Sequence, residues 1–94
     1  MKSVFICTVW LIAAASTAFA AEQIIALKNA TGRDVVEAMC AGCHSLDYIP
    51  LNSPFMNRDA WTAEVNKMIN AFGAPISATD AAKIIDYLTA NYGQ

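Results

Sequence analysis

The chain has 94 residues, a formal net charge of −2 and a mean hydropathy of +0.37, which limits it to one small domain. The slight excess of acidic residues provides no basic face to neutralise phosphates, so we do not expect nucleic-acid binding. The same charge gives no reason to expect attraction to an anionic membrane.

Residues 1–20 have the features of a removable export signal. Lys2 supplies a positive start, an apolar run of about a dozen residues follows, and Ala18-Phe19-Ala20 matches the small-x-small pattern of signal peptidase sites. The apolar run is shorter than the roughly 20 residues that a membrane span needs. We therefore predict cleavage after Ala20 and a mature domain of residues 21–94 that is not embedded in a membrane.

The mature domain would carry five basic and eight acidic residues, a net charge of −3. At this size an apolar core alone stabilises a fold only marginally, and natural domains commonly add disulfides, a metal or a cofactor. Residues 21–30 contain Ile24, Ile25 and Leu27, which could pack as a short extension or belong to a loose arm.

The mature domain shows no alternation of apolar and polar residues of the kind that strands have, and it is predicted to be all-α. The first helix should begin near Thr31, whose spacing to Asp34 resembles a capping box, and run into the cysteines. Between residues 45 and 56, Pro50 and Pro54 predict an irregular loop. Loops of this length in small domains are commonly functional, and this one could wrap around a bound group.

The second and third helices are marked at both ends. Asn57 should cap the second helix, and Gly73 should stop it. Its apolar face consists of Trp61, Val65, Met68, Ile69 and Phe72. Ser77, with Asp80 three residues later, should open the third helix, which ends before Gly93. Its apolar face consists of Ala81, Ile84, Ile85, Leu88 and Tyr92.

The motif Cys40-Ala41-Gly42-Cys43-His44 contains the only histidine of the chain and every cysteine except Cys7, which lies in the leader. Zinc would need four nitrogen or sulfur ligands, and the motif supplies three at most. A dithiol enzyme would place the pair after a strand, which is not predicted, and a structural disulfide is the remaining thiol alternative. The spacing is the signature of covalent haem attachment, in which both thiols bond to the porphyrin and the histidine binds the iron.

The function of a haem bound in this way depends on the other face of its iron. A second strong ligand makes an electron carrier, whereas an open position makes a gas binder or a peroxidase. Because there is no second histidine, the candidates are the methionine thioethers of Met56, in the predicted loop, and Met68, on the second helix. The spacing alone does not choose between them, and Met68 could equally be a packing residue of the apolar face.

Five segments of the mature chain carry a family resemblance. They are Cys40-Ala41-Gly42-Cys43-His44-Ser45-Leu46-Asp47-Tyr48-Ile49, Trp61-x-x-Glu64-Val65-x-Lys67-Met68, Phe72-Gly73-Ala74-Pro75-Ile76, Ile85-Asp86-Tyr87-Leu88 and Tyr92-Gly93. Together they resemble the small single-haem cytochromes c, and more closely the haem subunit of bacterial sulfite dehydrogenases. The resemblance implies an all-α cytochrome c fold with about three helices around a covalently bound haem. It also implies that the first and last helices cross beside the haem, where Gly32 is small enough for a close approach.

In that family the methionine of the Trp-x-x-Glu-Val-x-Lys-Met segment is the distal iron ligand, and Met68 occupies its place, with Met56 as the alternative. The resemblance therefore implies one haem c bonded to Cys40 and Cys43, with His44 as the proximal ligand of the iron. It implies a periplasmic electron-transfer protein that is not itself an enzyme. Its donor would be the molybdenum-containing catalytic subunit of a sulfite dehydrogenase, and its acceptor a downstream cytochrome or oxidase. The alternative function is a haem-based sensor of small ligands or a peroxidase-like protein with an open distal site.

Several side chains near the motif could assist a haem. Trp61, Tyr48 and Arg58 could each donate a hydrogen bond to a haem propionate, and Trp61 could instead only fill space. The proximal histidine needs an acceptor for its second ring nitrogen, and the backbone carbonyl of Ile49 or Pro50 is the expected one.

Overall fold

The computed structural model describes residues 25–94, so the predicted export signal and its cleavage point lie outside the described residues. Within this range the structure contains four α-helices and a short 3₁₀-helix and has no strand. The elements are α1 (Arg33–Cys40), α2 (Tyr48–Asn52), the 3₁₀-helix (Ser53–Phe55), α3 (Arg58–Asn70) and α4 (Ala78–Tyr92). The all-α prediction is confirmed for these residues, with four α-helices instead of about three. Among residues 25–94, no helix combines the length and apolar character that crossing a membrane requires.

Helix α4 is the central element of the fold. It packs against each of α1, α2 and α3, and the core lies between these helices. The buried side chains of the core are Leu27, Val36, Ile49, Trp61, Val65, Ala81, Ile84, Tyr87, Leu88 and Tyr92. The helices are therefore held together by apolar faces with helical spacing, as the sequence pattern predicted for the two longest of them.

The caps of α3 and α4 are those predicted from the sequence. The side-chain oxygen of Asn57 accepts a hydrogen bond from the backbone N–H of Ala60 at 2.9 Å. The hydroxyl oxygen of Ser77 accepts one from the backbone N–H of Asp80 at 3.1 Å. Each cap satisfies an N–H group that has no partner inside its helix, and such caps typically stabilise a helix by about 1 kcal/mol.

The start of α1 differs from the prediction, because the helix begins at Arg33 and Thr31 forms no capping box. The N-cap residue of α1 is Gly32, which has a φ of 96° and, lacking a side chain, forms no side-chain cap hydrogen bond. A Cβ atom on Gly32 would lie 3.1 Å from the Cβ of Tyr87 and 3.3 Å from the carbonyl oxygen of Lys83. The absence of a side chain thus lets the start of α1 pack directly on α4, which confirms the close approach expected of Gly32.

Residues 25–30 pack against the rest of the domain as a short extension, which is one of the two alternatives predicted for the leading segment, and do not form a loose arm. Leu27 is buried in the core. The backbone N–H of Lys28 donates to the hydroxyl of Tyr92 at 2.9 Å, and its carbonyl accepts from the hydroxyl of Tyr87 at 2.5 Å. Burial raises the pKa of Tyr87 to about 12, so this hydroxyl remains a donor at alkaline pH values where an exposed tyrosine would begin to ionise.

The prediction of an irregular loop over residues 45–56 is wrong in part, because α2 and the 3₁₀-helix lie within it. The prolines permit this: Pro50 lies in the first turn of α2, and Pro54 lies at the start of the 3₁₀-helix, where a missing N–H costs no helical hydrogen bond. Ile49 anchors the segment in the core.

Helix α3 ends earlier than its apolar face suggested. The chain turns at Gly73, which has a φ of 69°, and the N–H of Ala74 donates to the carbonyl of Met68 at 3.0 Å. Phe72 therefore lies beyond the helix, and its side chain is 71 % exposed instead of packed in the core.

The two glycines with positive φ allow a matched test of the α1–α4 contact. Gly73→Ala should cost about 1 kcal/mol of unfolding free energy, because an alanine is strained at positive φ but would meet no atom within 4 Å. Gly32→Ala should cost about 2–4 kcal/mol, because overpacking against α4 adds to the same backbone strain. Chemical denaturation of the two purified variants measures the difference, and equal losses would show that the α1–α4 contact tolerates a methyl group.

Candidate functional site

Two adjoining cavities lie beside the Cys-x-x-Cys-His motif. The larger has a volume of about 430 Å³ and the smaller about 320 Å³. Cys40, His44 and Met68 line both cavities, so we treat them as two parts of one space, the motif cleft. Each volume lies within the range of about 300–1,000 Å³ that is typical of small-molecule and cofactor pockets.

The walls of the motif cleft are predominantly apolar. In the larger part they come from α2, α3 and α4, through side chains that include Ile49, Trp61, Val65, Ile84 and Leu88. In the smaller part they include Met39, Phe72, Ala74 and Ile76. All four α-helices therefore contribute to the cleft, α1 through Met39 and Cys40, and an apolar ligand held there would extend the core.

The two cysteines of the motif differ in their surroundings. Cys40 is the last residue of α1 and is partly buried, and burial raises the pKa of its thiol. Cys43 is exposed on the loop that follows, and it lines the smaller part of the cleft. Both thiols are free in the structure. The cleft thus has one thiol in its wall and one at its edge.

His44 lies on the same loop and lines both parts of the cleft. Its Nδ1 lies 2.9 Å from the carbonyl oxygen of Ser45. A carbonyl oxygen only accepts, so Nδ1 is the donor, and in the neutral ring Nε2 keeps a lone pair for a metal. The expected acceptors were wrong: the carbonyl of Ile49 accepts instead from the N–H of Ser53, because residues 48–52 form a helix.

The structure separates the two methionine candidates. Met68, on α3, lines both parts of the motif cleft together with Cys40 and His44. Met56 lines neither part; it packs against the core, and its carbonyl accepts a hydrogen bond from the N–H of Gln94 at 2.9 Å. Of the two methionines, Met68 is therefore the one that lines the cleft.

Of the three residues considered as propionate partners, only Tyr48 both lines the motif cleft and has a donor that forms no hydrogen bond with another residue of the range 25–94. The indole N–H of Trp61 donates to the carbonyl of Tyr92 at 3.0 Å inside the core, so Trp61 fills space and its donor is already used. Arg58 is paired with Asp86 at 2.6 Å on an exposed surface and lines neither part of the cleft. For Trp61 the packing supports the space-filling alternative, and the donors of both Trp61 and Arg58 have partners within the protein.

One charged pair beside the cleft was named in the sequence only as part of a family segment and was given no role there. Glu64 lines the larger part of the cleft with its side chain 19 % exposed, and its carboxylate lies 2.9 Å from the Nζ of Lys67. This contact raises the pKa of Lys67 through the hydrogen bond and the opposite charge. The spacing in the sequence could have predicted that Glu64 lies near the cleft, because Glu64 precedes Met68 by one helical turn and hence lies on the same face of α3.

The side chains of the motif cleft suit a haem better than a bare metal ion. Among residues 25–94, no group of three or more His, Cys, Asp and Glu side chains is placed to hold a metal ion, so zinc gains no support. Two thiols, an imidazole and a thioether on apolar walls match the covalent and axial partners of a haem. Leu51 and Phe72, which line the cleft while 72 % and 71 % exposed, would be partly covered by a large flat apolar group.

A scan of protein-family models and a search of the curated proteins both find no match to this chain, so the case for any family rests on the sequence motifs and the motif cleft.

Proposed function

We propose that this protein is an exported c-type cytochrome, a one-electron carrier with a single covalently bound haem. The observation that supports this most strongly is that Cys40, His44 and Met68 line one apolar cleft although Met68 is distant in sequence. The alternative for a methionine on the apolar face of α3 was a packing role in the core, with no place in the cleft. Its position in the wall that also carries the attachment motif is what a haem with two axial ligands requires.

Each residue of the proposed site has a defined role. Cys40 and Cys43 would hold the haem through thioether bonds to its vinyl groups. His44 would bind the iron through Nε2, while its Nδ1 donates to the carbonyl of Ser45 and keeps the ring oriented. Met68 would bind the iron through its sulfur. When bound, haem iron supplies a one-electron Fe(III)/Fe(II) couple, whose potential histidine and methionine ligation raises.

The residues around the cleft favour electron transfer over ligand sensing. Met68 would fill the axial position that a gas or a peroxide needs. The apolar walls exclude water from the buried part of the cleft, and the exposed side chains of Cys43, Leu51 and Phe72 leave part of its rim at the surface. The rim is thus the route by which a partner would exchange an electron with the buried group.

The resemblance of the sequence, together with the predicted export signal, supports a periplasmic location and a specific donor. That donor is the molybdenum-containing catalytic subunit of a sulfite dehydrogenase, and the acceptor is a downstream cytochrome or oxidase. In this proposal the chain is the non-catalytic subunit or partner, which carries electrons and breaks no substrate bond.

The proposal is tested on protein matured in a host with haem-attachment machinery. We expect a red protein whose mass exceeds that of the mature polypeptide by one haem, whose colour stays with the protein in acid acetone, and which has no free thiol. A colourless product would contradict the proposal, and it would favour the disulfide alternative if two thiols became titratable only after reduction.

A further inference from the structure

We propose that the Glu64–Lys67 ion pair is the charged element of the motif cleft that sets the reduction potential of the haem, an inference that rests on the proposed function. Glu64 tends to lower the potential and Lys67 tends to raise it. The pair thereby places two opposing charges on the helix that carries Met68.

The geometry supports this role because the pair combines charge with closeness to the cleft. Glu64 lies in the wall of the larger part of the cleft, on the face of α3 that also carries Trp61 and Met68. The other side chains of this wall are chiefly apolar, and its other polar residues are His44, Ser45 and Tyr48. Glu64 is therefore the only carboxylate among the residues that line the two parts of the cleft.

The direction of each effect follows from the charge of the iron. Oxidation adds one positive charge, which a nearby carboxylate stabilises and a nearby ammonium destabilises. Removal of the Glu64 charge should therefore favour the reduced state and raise the potential. Removal of the Lys67 charge should favour the oxidised state and lower it.

The two effects should differ in size, because the two side chains are not equally solvated. Glu64 is 19 % exposed, whereas Lys67 is 51 % exposed and does not line the cleft. Water and salt screen the more exposed charge more strongly. The effect of Glu64 should therefore be the larger one, and the intact pair should lower the reduction potential.

The Arg58–Asp86 ion pair provides a matched control. It also involves α3 and has a short contact of 2.6 Å, but its side chains are 58 % and 66 % exposed, and neither residue lines the motif cleft. Neutralising either member of this control pair removes the same unit of charge from a more solvated position.

The experiment measures the reduction potential of the haem-loaded protein and of Glu64→Gln, Lys67→Gln, Arg58→Gln and Asp86→Asn at pH 7. Glu64→Gln should shift the equilibrium constant for reduction upward by about threefold to tenfold, and tenfold corresponds to about 59 mV for a one-electron couple. Lys67→Gln should shift it downward by a smaller factor, and both control variants should shift it least. Covalent haem and the far-red band of thioether-ligated ferric iron should be retained in all four.

The outcomes separate this inference from the proposed function. Protein that carries no covalent haem overturns both. Haem protein with the far-red band in which Glu64→Gln and Lys67→Gln shift the potential in the same direction, or by no more than the controls, overturns this inference alone. Loss of the band in Glu64→Gln would also overturn it, because the carboxylate would then position Met68 and not act by its charge.

Discussion

Replacing both Cys40 and Cys43 with alanine should yield a protein from which acid acetone extracts all of the haem. Thioether bonds survive acid, whereas the bonds that His44 and Met68 would make to iron are coordination bonds and would not. The double variant should also lose most of its yield as folded protein. A closed void of the volume of the larger cavity, about 430 Å³, would cost about 10 kcal/mol, as much as the whole stability of a small domain. Without its occupant the cleft must therefore open to water or collapse.

The measurements are the mass of the purified protein, the colour of the acid-acetone supernatant and the helical circular dichroism signal. Met39→Ala is the control, because Met39 lines the smaller part of the cleft but carries no thiol. It should keep the covalent haem. A double cysteine variant that still carried acid-resistant haem would contradict the roles assigned to the two thiols.

Met68→Ala should abolish the weak far-red charge-transfer band of the ferric protein, because that band requires a thioether on the iron. The reduction potential should fall on the order of 100 mV with loss of the methionine ligand. The ferrous variant should bind carbon monoxide rapidly, since its sixth position is then free. Visible spectroscopy, potentiometry and carbon monoxide mixing measure the three effects.

Met56→Ala is the matched control for this ligand assignment. Met56 packs against the core and lines neither part of the cleft, so its loss should leave the band and the potential in place while reducing stability modestly. If Met56→Ala removed the band and Met68→Ala preserved it, the assignment would be reversed. Rapid carbon monoxide binding by the unaltered ferrous protein would instead favour the sensor alternative.

Local patterns predicted the parts of the fold whose causes are local. The caps at Asn57 and Ser77 and most of the apolar faces of α3 and α4 depend on residues within a few positions of one another and were recognisable from spacing. The exceptions are Phe72, which is exposed beyond α3, and Tyr87, which is buried in α4 but was not assigned to its apolar face.

Where local patterns were ambiguous the predictions were less accurate. Thr31 suggested a cap, but Gly32 makes the turn because the start of α1 must pack against Tyr87. Pro50 suggested a loop, although a proline is tolerated in the first turn of α2.

The sequence by itself determined the candidate chemistry, because two thiols and the only histidine are adjacent in the chain and their spacing needs no fold to be recognised. Spacing alone could not decide which methionine lies beside them, and the family resemblance favoured Met68 without showing its position. Met56 and Met68 lie in different elements, and only packing brings one of them to the cleft. The tertiary structure decided this, along with the acceptor of His44, the use of the Trp61 donor in the core and the place of Glu64 in the cleft wall. Each of these depends on contacts between elements, because a side chain's partner is set by what the rest of the chain places beside it.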